Sequence, residues 1–367
     1  MTSPRPRPGI LEIVPYVAGK SGDLRARPVA KLSSNESPLG PSPLAVAAYR
    51  EVAGELHRYP DGSAAQLRHA IARRHNLDPM LVVCGAGSDE LIGLLMRAYA
   101  GPGDEVLYSR HGFLVYPLAA LAAGAHPVAA PESQLTADVD ALLQRVTSRT
   151  RLVFLANPNN PTGSYLSGAE LRRLRDGLPP DVILVVDAAY AEYAEAGDYD
   201  SGLEFATTTP NSVMLRTFSK LYGLASLRLG WLTAAPAIID VMNRVRGPFN
   251  VSMPAQAAGV AALADEEHAE KARAHNRLWL PWLATELAAL GLRIRPSLGN
   301  FLLVEFPQAG GRSATAANAH LEAAGVIPRE VAAYGLPDCL RISIGLEDEN
   351  RRLVAALAEF VTGRPSA

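Results

Sequence analysis

Short apolar segments alternate with amphipathic segments from about residue 80 to about residue 235. The apolar segments LVVC, EVLY, RLVFLA, VILVVD, VMLRT and GWLTA have the length and composition of buried strands. Between them, Val139, Leu142, Leu143 and Val146 show the i, i+3, i+4, i+7 spacing that places apolar side chains on one helix face. This alternation predicts βαβ units around a mostly parallel central sheet.

The pattern changes after residue 250. Residues 254–290 read as a long alanine-rich helical stretch, and Pro281 is expected to break it. NFLLVEF and CLRISIG then predict strands, and ENRRLVAALAEFV predicts a closing helix. We therefore expect an α/β chain with an arm at 1–28, a small-domain contribution from 29–44, a large domain at 45–250, and a linking helix with a smaller α+β domain at 251–367.

Composition and charge narrow the class of protein. The chain has 367 residues, 48% of them hydrophobic, and a net charge of −2, so it can bury a large core but offers no basic patch for nucleic acid or a membrane surface. The start MTSPRPRPGI lacks the apolar region of a signal peptide, and no segment reaches the length of a membrane span. We expect a cytoplasmic protein that acts on small molecules. Cys84 and Cys339 are expected to be reduced packing residues, with no metal site.

Polar and glycine residues follow the ends of the predicted strands. GAGSDE follows LVVC, SRHGF follows EVLY, NPNNPTG follows RLVFLA, Asp187 closes VILVVD, and Ser219 with Lys220 follows VMLRTF. In open α/β sheets, ligands bind outside the carboxyl ends of the strands. The five clusters are therefore predicted to meet at one site.

Two of these clusters have plain structural interpretations as well. GAGSDELIGLL places free backbone N–H groups at a strand-to-helix turn, which suits a phosphate, although an ordinary capped turn has the same composition. A dinucleotide-binding G-x-G-x-x-G motif is disfavoured, because Glu90 stands at the third glycine position. Asp187 ends a run of apolar residues, so its carboxylate needs a partner, unless it only caps the following helix.

Lys220 is one of four lysines among 35 basic residues. A surface lysine is the ordinary interpretation, but only an amine can lose its proton near neutral pH and attack a carbonyl. Arg228 and Arg341 stand beside apolar segments, where a guanidinium needs a carboxylate or phosphate. A lysine amine for an aldehyde, donors for a phosphate and a buried acid for a pyridinium nitrogen together indicate pyridoxal 5′-phosphate.

Ten segments, in order along the chain, resemble the histidinol-phosphate aminotransferases, which are fold-type I pyridoxal-phosphate-dependent transferases. They are PYVAGK, LSSNESPLGPSP, RYPDG, GAGSDELI, NPNNPTG, VVDAAYAEY, RTFSKLYGLASLRLGW, RGPFNVS, GNFLLVEF and AAYGLPDCLRISIG. The resemblance covers nearly the whole chain. It implies a large domain with a mostly parallel sheet and a smaller α+β domain.

The resemblance also implies a role for each matching residue. Lys220 would form the Schiff base and move the proton during catalysis, Asp187 would pair with the ring nitrogen, and Tyr190 and Asn160 would contact the ring hydroxyl. The remaining cofactor contacts implied are Phe113 against the ring and, at the phosphate, the backbone N–H groups of Ser88 and Asp89, the side chains of Ser219 and Arg228, and Tyr59 from the partner of a homodimer. Tyr16, Arg329 and Arg341 would hold the substrates.

The activity implied is the interconversion of histidinol phosphate and 2-oxoglutarate with imidazole-acetol phosphate and glutamate, in histidine biosynthesis. Alternatives on the same scaffold are an aromatic amino-acid aminotransferase, a dual-specificity enzyme, and a decarboxylase of a phosphorylated amino acid. A regulator with an inactive domain is disfavoured, since Lys220 and Asp187 are present. Ala86, Ser37 and Pro328 depart from the family pattern, and Pro328 removes an N–H beside Arg329.

Overall fold

The structure is a computed structural model that describes residues 6–20, 29–308 and 311–363. The parts of the predicted arm at residues 1–5 and 21–28 lie outside the described residues. The strands are β1 (Ala30–Lys31), β2 (Val82–Gly85), β3 (Glu105–Ser109), β4 (His126–Ala130), β5 (Glu132–Ser133), β6 (Thr136–Ala137), β7 (Thr150–Ala156), β8 (Ile183–Asp187), β9 (Ser212–Thr217), β10 (Gly230–Ala234), β11 (Arg293–Ile294), β12 (Phe301–Glu305), β13 (Val326–Ile327), β14 (Arg329–Glu330) and β15 (Cys339–Ser343).

The helices account for most of the remaining regular structure. They are α1 (Pro43–Glu51), α2 (Ala65–His75), α3 (Ser88–Tyr99), α4 (Val115–Ala123), α5 (Val139–Gln144), α6 (Gly168–Gly177), α7 (Leu203–Thr208), α8 (Pro236–Val245), α9 (Met253–Ala264), α10 (Glu266–Ala289), α11 (Ala314–Ala323) and α12 (Glu347–Thr362).

A seven-stranded sheet in the order β2-β10-β9-β8-β7-β3-β4 forms the centre of the large domain. All its neighbours pair in parallel except β10, which runs antiparallel to β2 and β9. The start of β10 at Gly230 pairs with Gly85 and Thr217, the ends of its two neighbours. The carboxyl ends of the parallel strands therefore share one edge of the sheet, and this confirms the predicted mostly parallel α/β fold.

Both faces of this sheet are buried, which explains why its strands read as continuous apolar runs. Along β8, Ile183 and Val185 pack into a core with α3, α4 and α8, while Leu184 and Val186 pack into a second core with α5, α6 and α7. Successive side chains thus enter opposite layers, as the strand geometry requires.

A smaller antiparallel sheet in the order β11-β12-β15-β14 packs with α10, α11 and α12 around a separate core. Near the start of the chain, β1 pairs in parallel with β13, which ties residues 30–31 to this part of the molecule. The smaller α+β layer predicted for the C-terminal part is therefore present. The domain limits drawn from the sequence stay a prediction.

One strand and one helix differ from the sequence-based prediction. The strand β4 was not predicted: its residues His126–Ala130 are partly exposed at the sheet edge and lack a long apolar run. The helix α5 covers the first three residues of the apolar spacing but ends before Val146.

The predicted break at Pro281 is wrong. The helical stretch is interrupted at Asp265, whose side chain accepts from the backbone N–H of His268 and so begins α10, whereas Pro281 lies inside α10. A proline removes one helix hydrogen bond, but Trp279 and Leu283 on either side of it are buried in the core of the smaller domain, which offsets that loss.

Cys84 and Cys339 are free and buried, as predicted. In the part of the chain that the structure describes, no helix has the length and apolar character to cross a bilayer.

Candidate active site

A cavity of about 260 Å³ opens at the edge of the central sheet where the parallel strands end. Ala156, Asp187 and Thr217, the last residues of β7, β8 and β9, line it together with residues of β14 and β15 and of the arm. Of the thirteen predicted site residues, twelve line this cavity: Tyr16, Ser88, Asp89, Phe113, Asn160, Asp187, Tyr190, Ser219, Lys220, Arg228, Arg329 and Arg341.

Tyr59 is the one predicted site residue that the cavity of its own chain does not include. Its side chain is 79% exposed and stacks on Phe249, with ring centroids 4.6 Å apart. An exposed aromatic pair of this kind is compatible with a contact to a second chain, which is where the sequence prediction placed Tyr59.

Lys220 follows β9 and points its amine into the cavity. Its Nζ donates to the backbone carbonyl of Ser34 at 3.1 Å and lies 5.6 Å from the ring centroid of Tyr190. Burial, with the positive charge of Arg341, lowers the pKa of Lys220 to about 8. The amine therefore loses its proton more readily than an ordinary lysine does, which a nucleophilic or proton-transferring lysine requires.

Asp187 lines the cavity at the end of β8, and one of its two carboxylate oxygens has no hydrogen-bond partner among the described residues. The phenol of Tyr116 donates to Oδ2 at 2.8 Å, while Oδ1 is buried and has no hydrogen-bond partner among the described residues. Burial raises the pKa of Asp187 to about 6, against the opposing effect of the Tyr116 hydrogen bond. A buried carboxylate oxygen without a partner is costly unless a ligand donates to it.

The turn between β2 and α3 forms a cradle of donors. Gly87 has φ 85° and ψ 162°, a backbone conformation that favours glycine, and an Nη of Arg228 lies 2.5 Å from the place that a Cβ would take. No side chain caps α3, which leaves the N–H groups of Ser88 and Asp89 without helical partners. Arg228 also donates to Ser219 Oγ at 3.4 Å and pairs with the Asp89 carboxylate at 3.0 Å. The cluster can bind an anion such as phosphate.

Glu90, which argued against a dinucleotide motif, folds back onto this turn. Its Oε2 accepts from the backbone N–H of Ala86 at 2.6 Å and from Nδ2 of Asn250 at 2.8 Å. Residue 86 thus contributes to the turn through its backbone N–H. The alanine found here, which differs from the family pattern, therefore leaves the turn intact.

Two arginines stand side by side where the smaller sheet borders the cavity. Arg329 on β14 and Arg341 on β15 are direct partners across antiparallel strands, and both line the cavity. Like charges placed opposite each other in a sheet are unfavourable unless an anion lies between them. Pro328, between β13 and β14, does not turn Arg329 away from the cavity.

Arg341 is 5% exposed and held by two contacts. It donates to Asn160 Oδ1 at 2.5 Å and to the Ser33 carbonyl at 2.7 Å, while its buried Nε has no partner among the described residues. Because Asn160 Oδ1 accepts from Arg341, the Nδ2 group of Asn160 is the one available to donate elsewhere.

Arg329 connects the arm to the smaller sheet. It donates to the backbone carbonyl of Val17 at 2.6 Å, and its guanidinium lies 5.7 Å from the ring centroid of Tyr16. The arm thus covers the cavity from the side of the two arginines.

Comparison with known proteins agrees with this arrangement. Residues 27–357 match the family model for aminotransferase class I and II. The chain belongs to this family. It is 56% identical to a histidinol-phosphate aminotransferase of Paramagnetospirillum magneticum over 361 residues, which cover 98% of this chain and 99% of that protein. It is also 56% identical to the Rhodospirillum rubrum histidinol-phosphate aminotransferase, with 98% of each chain covered.

The crystal structure of histidinol-phosphate aminotransferase from Sinorhizobium meliloti in complex with pyridoxal-5′-phosphate has the same fold. Its TM-score is 0.88 at 30% identity, with 96% of this chain and 97% of that chain covered. The resemblance predicted from the ten sequence segments is therefore confirmed.

Sequence reasoning missed several members of the site of this aminotransferase. Tyr116 occupies an apolar position of α4, where nothing in the sequence distinguishes it from a core aromatic residue. Ser33 and Ser34 act through backbone carbonyls, which any residue type supplies. Asn35 lies in the matched segment LSSNESPLGPSP, but the match gave no indication of its hydrogen-bond partner.

Proposed function

We propose that this protein is a pyridoxal-phosphate-dependent histidinol-phosphate aminotransferase, which transfers an amino group from histidinol phosphate to 2-oxoglutarate and produces imidazole-acetol phosphate and glutamate. The observation that carries the proposal is one cavity that is lined both by the partly buried amine of Lys220 and by a cross-strand pair of arginines. The first can react with a carbonyl, and the second can hold an anionic substrate.

The residues present fit the cofactor at three independent points. Asp187 Oδ1 is a buried acceptor without a partner and suits a protonated ring nitrogen. The cradle of Gly87, Ser88 and Arg228 suits a phosphate. Lys220 supplies a partly buried amine with a lowered pKa for covalent attachment. Phe113 is available to contact the ring, and Tyr190 and Asn160 to donate to its hydroxyl oxygen.

When bound, pyridoxal phosphate supplies an electron sink that stabilises negative charge on the substrate Cα. In this proposal Lys220 Nζ would take the proton from the substrate Cα and deliver it to the carbon that carries the cofactor aldehyde (C4′), because its lowered pKa allows the neutral amine at working pH. Asp187 holds positive charge at the ring nitrogen. Arg341 and Arg329 orient the substrate through its carboxylate or phosphate. Both substrates use the same pair of arginines, so one product must leave before the second substrate binds.

A direct assay tests the activity. Purified protein supplied with cofactor and 2-oxoglutarate should form glutamate with histidinol phosphate at a much higher kcat/KM than with phenylalanine. Equal values, or a preference for phenylalanine, would favour the aromatic aminotransferase instead. The cytoplasmic location expected from the sequence is part of the same proposal, since the substrates are small soluble molecules.

Capture of the cofactor should depend on pH through Lys220. The neutral amine is the reactive form, so the rate of capture should rise with pH to a plateau with a midpoint near the lowered pKa of about 8. An ordinary solvated lysine would give a midpoint above about pH 10. Stopped-flow absorbance after mixing cofactor-free protein with pyridoxal phosphate measures this rate. A rate that still rises steeply beyond about pH 10 would contradict the assignment.

Arg329→Ala should be selective for substrate. A charge-assisted hydrogen bond contributes about 1.5 to 3 kcal/mol, so kcat/KM for histidinol phosphate should fall roughly 10- to 150-fold. Any activity on phenylalanine should fall much less, because its carboxylate keeps Arg341. Arg293→Ala is a suitable control, since Arg293 is an exposed arginine of the same small sheet, paired with Glu305. Equal losses on both substrates would exclude a phosphate-binding role for Arg329.

We further propose a homodimer in which Tyr59 of each chain completes the cofactor site of the other. A hybrid of a Lys220→Ala chain and a Tyr59→Ala chain would then have one site with both lesions and one site with neither. Mixing the two variants under exchange conditions should restore activity at a cofactor concentration that the Tyr59→Ala protein alone does not bind. If Tyr59 serves its own chain, no hybrid site is intact and no activity returns.

A further inference from the structure

The segment at residues 33–36 contacts three of the residues assigned to the cofactor and substrates. The Ser33 carbonyl accepts from Arg341 at 2.7 Å and the Ser34 carbonyl accepts from Lys220 Nζ at 3.1 Å. The next residue, Asn35, donates through Nδ2 to the hydroxyl oxygen of Tyr190 at 2.8 Å. The first two contacts use the backbone, whereas the third requires an amide side chain.

The orientation of the Asn35 side chain is fixed on its other side by Ser343 at the end of β15. Ser343 Oγ accepts from the Asn35 backbone N–H at 2.8 Å and donates to Asn35 Oδ1 at 3.1 Å. Asn300 Nδ2 donates to the Asn35 carbonyl at 3.1 Å. With Oδ1 held by a hydroxyl donor, the NH₂ group is the part of the amide that faces Tyr190.

The backbone at Asn35 is also unusual. Its φ of 54° lies in the left-handed region, and the residue is 1% exposed. Asparagine tolerates this conformation better than most residues do. A turn alone would accept glycine or aspartate here, but neither of these can donate a side-chain hydrogen bond to Tyr190.

This contact determines what the Tyr190 hydroxyl can do. Because its oxygen accepts from Asn35, its own proton is directed elsewhere, and among the described residues this hydroxyl donates no hydrogen bond. A hydroxyl that accepts one hydrogen bond becomes a stronger donor of another. Tyr190 is 3% exposed and lines the cavity next to Lys220, so its proton is available to a group bound there.

We propose that Asn35 is a positioning residue that fixes the Tyr190 hydroxyl as a donor to the ring oxygen of the bound cofactor, and that Ser343 holds Asn35 in place for this purpose. The inference rests on the proposed function, because it requires a cofactor in the cavity. It also connects β15 of the smaller sheet to the cofactor through the side chains of Ser343, Asn35 and Tyr190.

The pH titration of the visible absorption band of the cofactor-loaded protein, without substrate, tests this role. A donor to the ring oxygen favours its ionised form and keeps the midpoint of this titration low. Asn35→Gly, which tolerates the positive φ but lacks the amide, should raise the midpoint by about one pH unit. Asn35→Asp keeps the shape but turns a donor into an acceptor, so its midpoint should rise further.

Asn318→Ala is the matched control. Asn318 is a buried asparagine of α11, 6% exposed, whose Nδ2 donates to Glu322 rather than toward the cavity. Its midpoint should equal that of the unchanged protein. Ser343→Ala keeps the Asn35 amide but removes the group that orients it, and it should give a smaller rise.

The outcomes separate the two proposals. A protein that acquires no visible band with pyridoxal phosphate contradicts the proposed function itself. If the unchanged protein acquires the band and Asn35→Gly and Asn35→Asp titrate at the same midpoint as the unchanged protein, the role of Asn35 is overturned. The proposed function is not affected by that result. An equal rise in Asn318→Ala also overturns it. Should both Asn35 variants fail to fold, an unshifted midpoint in Ser343→Ala overturns the inference and a raised one supports it.

Discussion

Lys220→Ala should lower kcat for transamination by at least about 10³-fold, since the proposed mechanism assigns to Lys220 both the transfer of the proton and the attachment of the cofactor. In the unchanged protein, borohydride reduction should fix the cofactor on Lys220, and peptide mass mapping should locate it there. The variant should show no such adduct. Loss of the fold is not expected to explain the effect, because burial lowers the pKa of this amine to about 8 and its charged form therefore destabilises the protein at neutral pH.

Lys271→Ala is the control for this change. Lys271 lies on the surface of α10 and pairs with Glu267 at 2.7 Å, with its side chain 64% exposed. Its loss should leave kcat and borohydride labelling unchanged. Labelling of any lysine other than Lys220, or a Lys220→Ala protein with near-normal kcat, would contradict the assignment.

Much of the fold was predictable because its central strands are buried on both faces. The segments LVVC, EVLY, RLVFLA, VILVVD, VMLRT and GWLTA all form strands of the large sheet, because a sheet covered on both faces buries short apolar runs of this kind. The edge strand β4 was not predicted because it is not buried on both faces. The pattern of its partly exposed residues does not differ from that of a loop.

The site was predictable where chemistry requires a particular side chain. Lys220, Asp187 and the glycine turn stand at strand ends, and parallel strands bring such ends together, so their convergence followed from the pattern alone. Tyr16, Arg329 and Arg341 come from the arm and the smaller sheet. Only the family resemblance indicated that they share the cavity with Lys220, because no local pattern relates a position near the start of the chain to β14.

Contacts that depend on fine geometry were not predictable. Tyr116 becomes the partner of Asp187 through the direction in which α4 leaves β3, a relation between elements that hydrophobic spacing does not report. The same holds for Asn35, whose amide reaches Tyr190 only because Ser343 and Asn300 fix the segment.

Asp187→Asn should retain the cofactor but lower kcat by about 10²- to 10³-fold, the usual effect of removing one preorganised charged group from an active site. A neutral amide cannot hold positive charge at the ring nitrogen, so negative charge that develops on the substrate Cα would be stabilised less. The phosphate cradle and Lys220 remain, and they should keep the cofactor bound. The visible absorption band measures how much cofactor is bound, and steady-state kcat at saturating cofactor measures the activity, so cofactor binding and catalysis are determined separately.

The pH dependence of cofactor affinity provides a second measurement on the same variant. Burial raises the pKa of Asp187 to about 6, so in the unchanged protein the carboxylate takes up a proton as the pH falls through that value and loses its attraction for a cationic ring nitrogen. Affinity should therefore decrease below about pH 6, and the decrease should be smaller in Asp187→Asn, which has no proton to gain at this position. Asp240→Asn is the control, because Asp240 is an exposed aspartate paired with Arg244 on α8. Near-normal kcat in Asp187→Asn, or identical pH profiles in the two proteins, would mean that the free Oδ1 of Asp187 does not hold the ring nitrogen and that another group must do so.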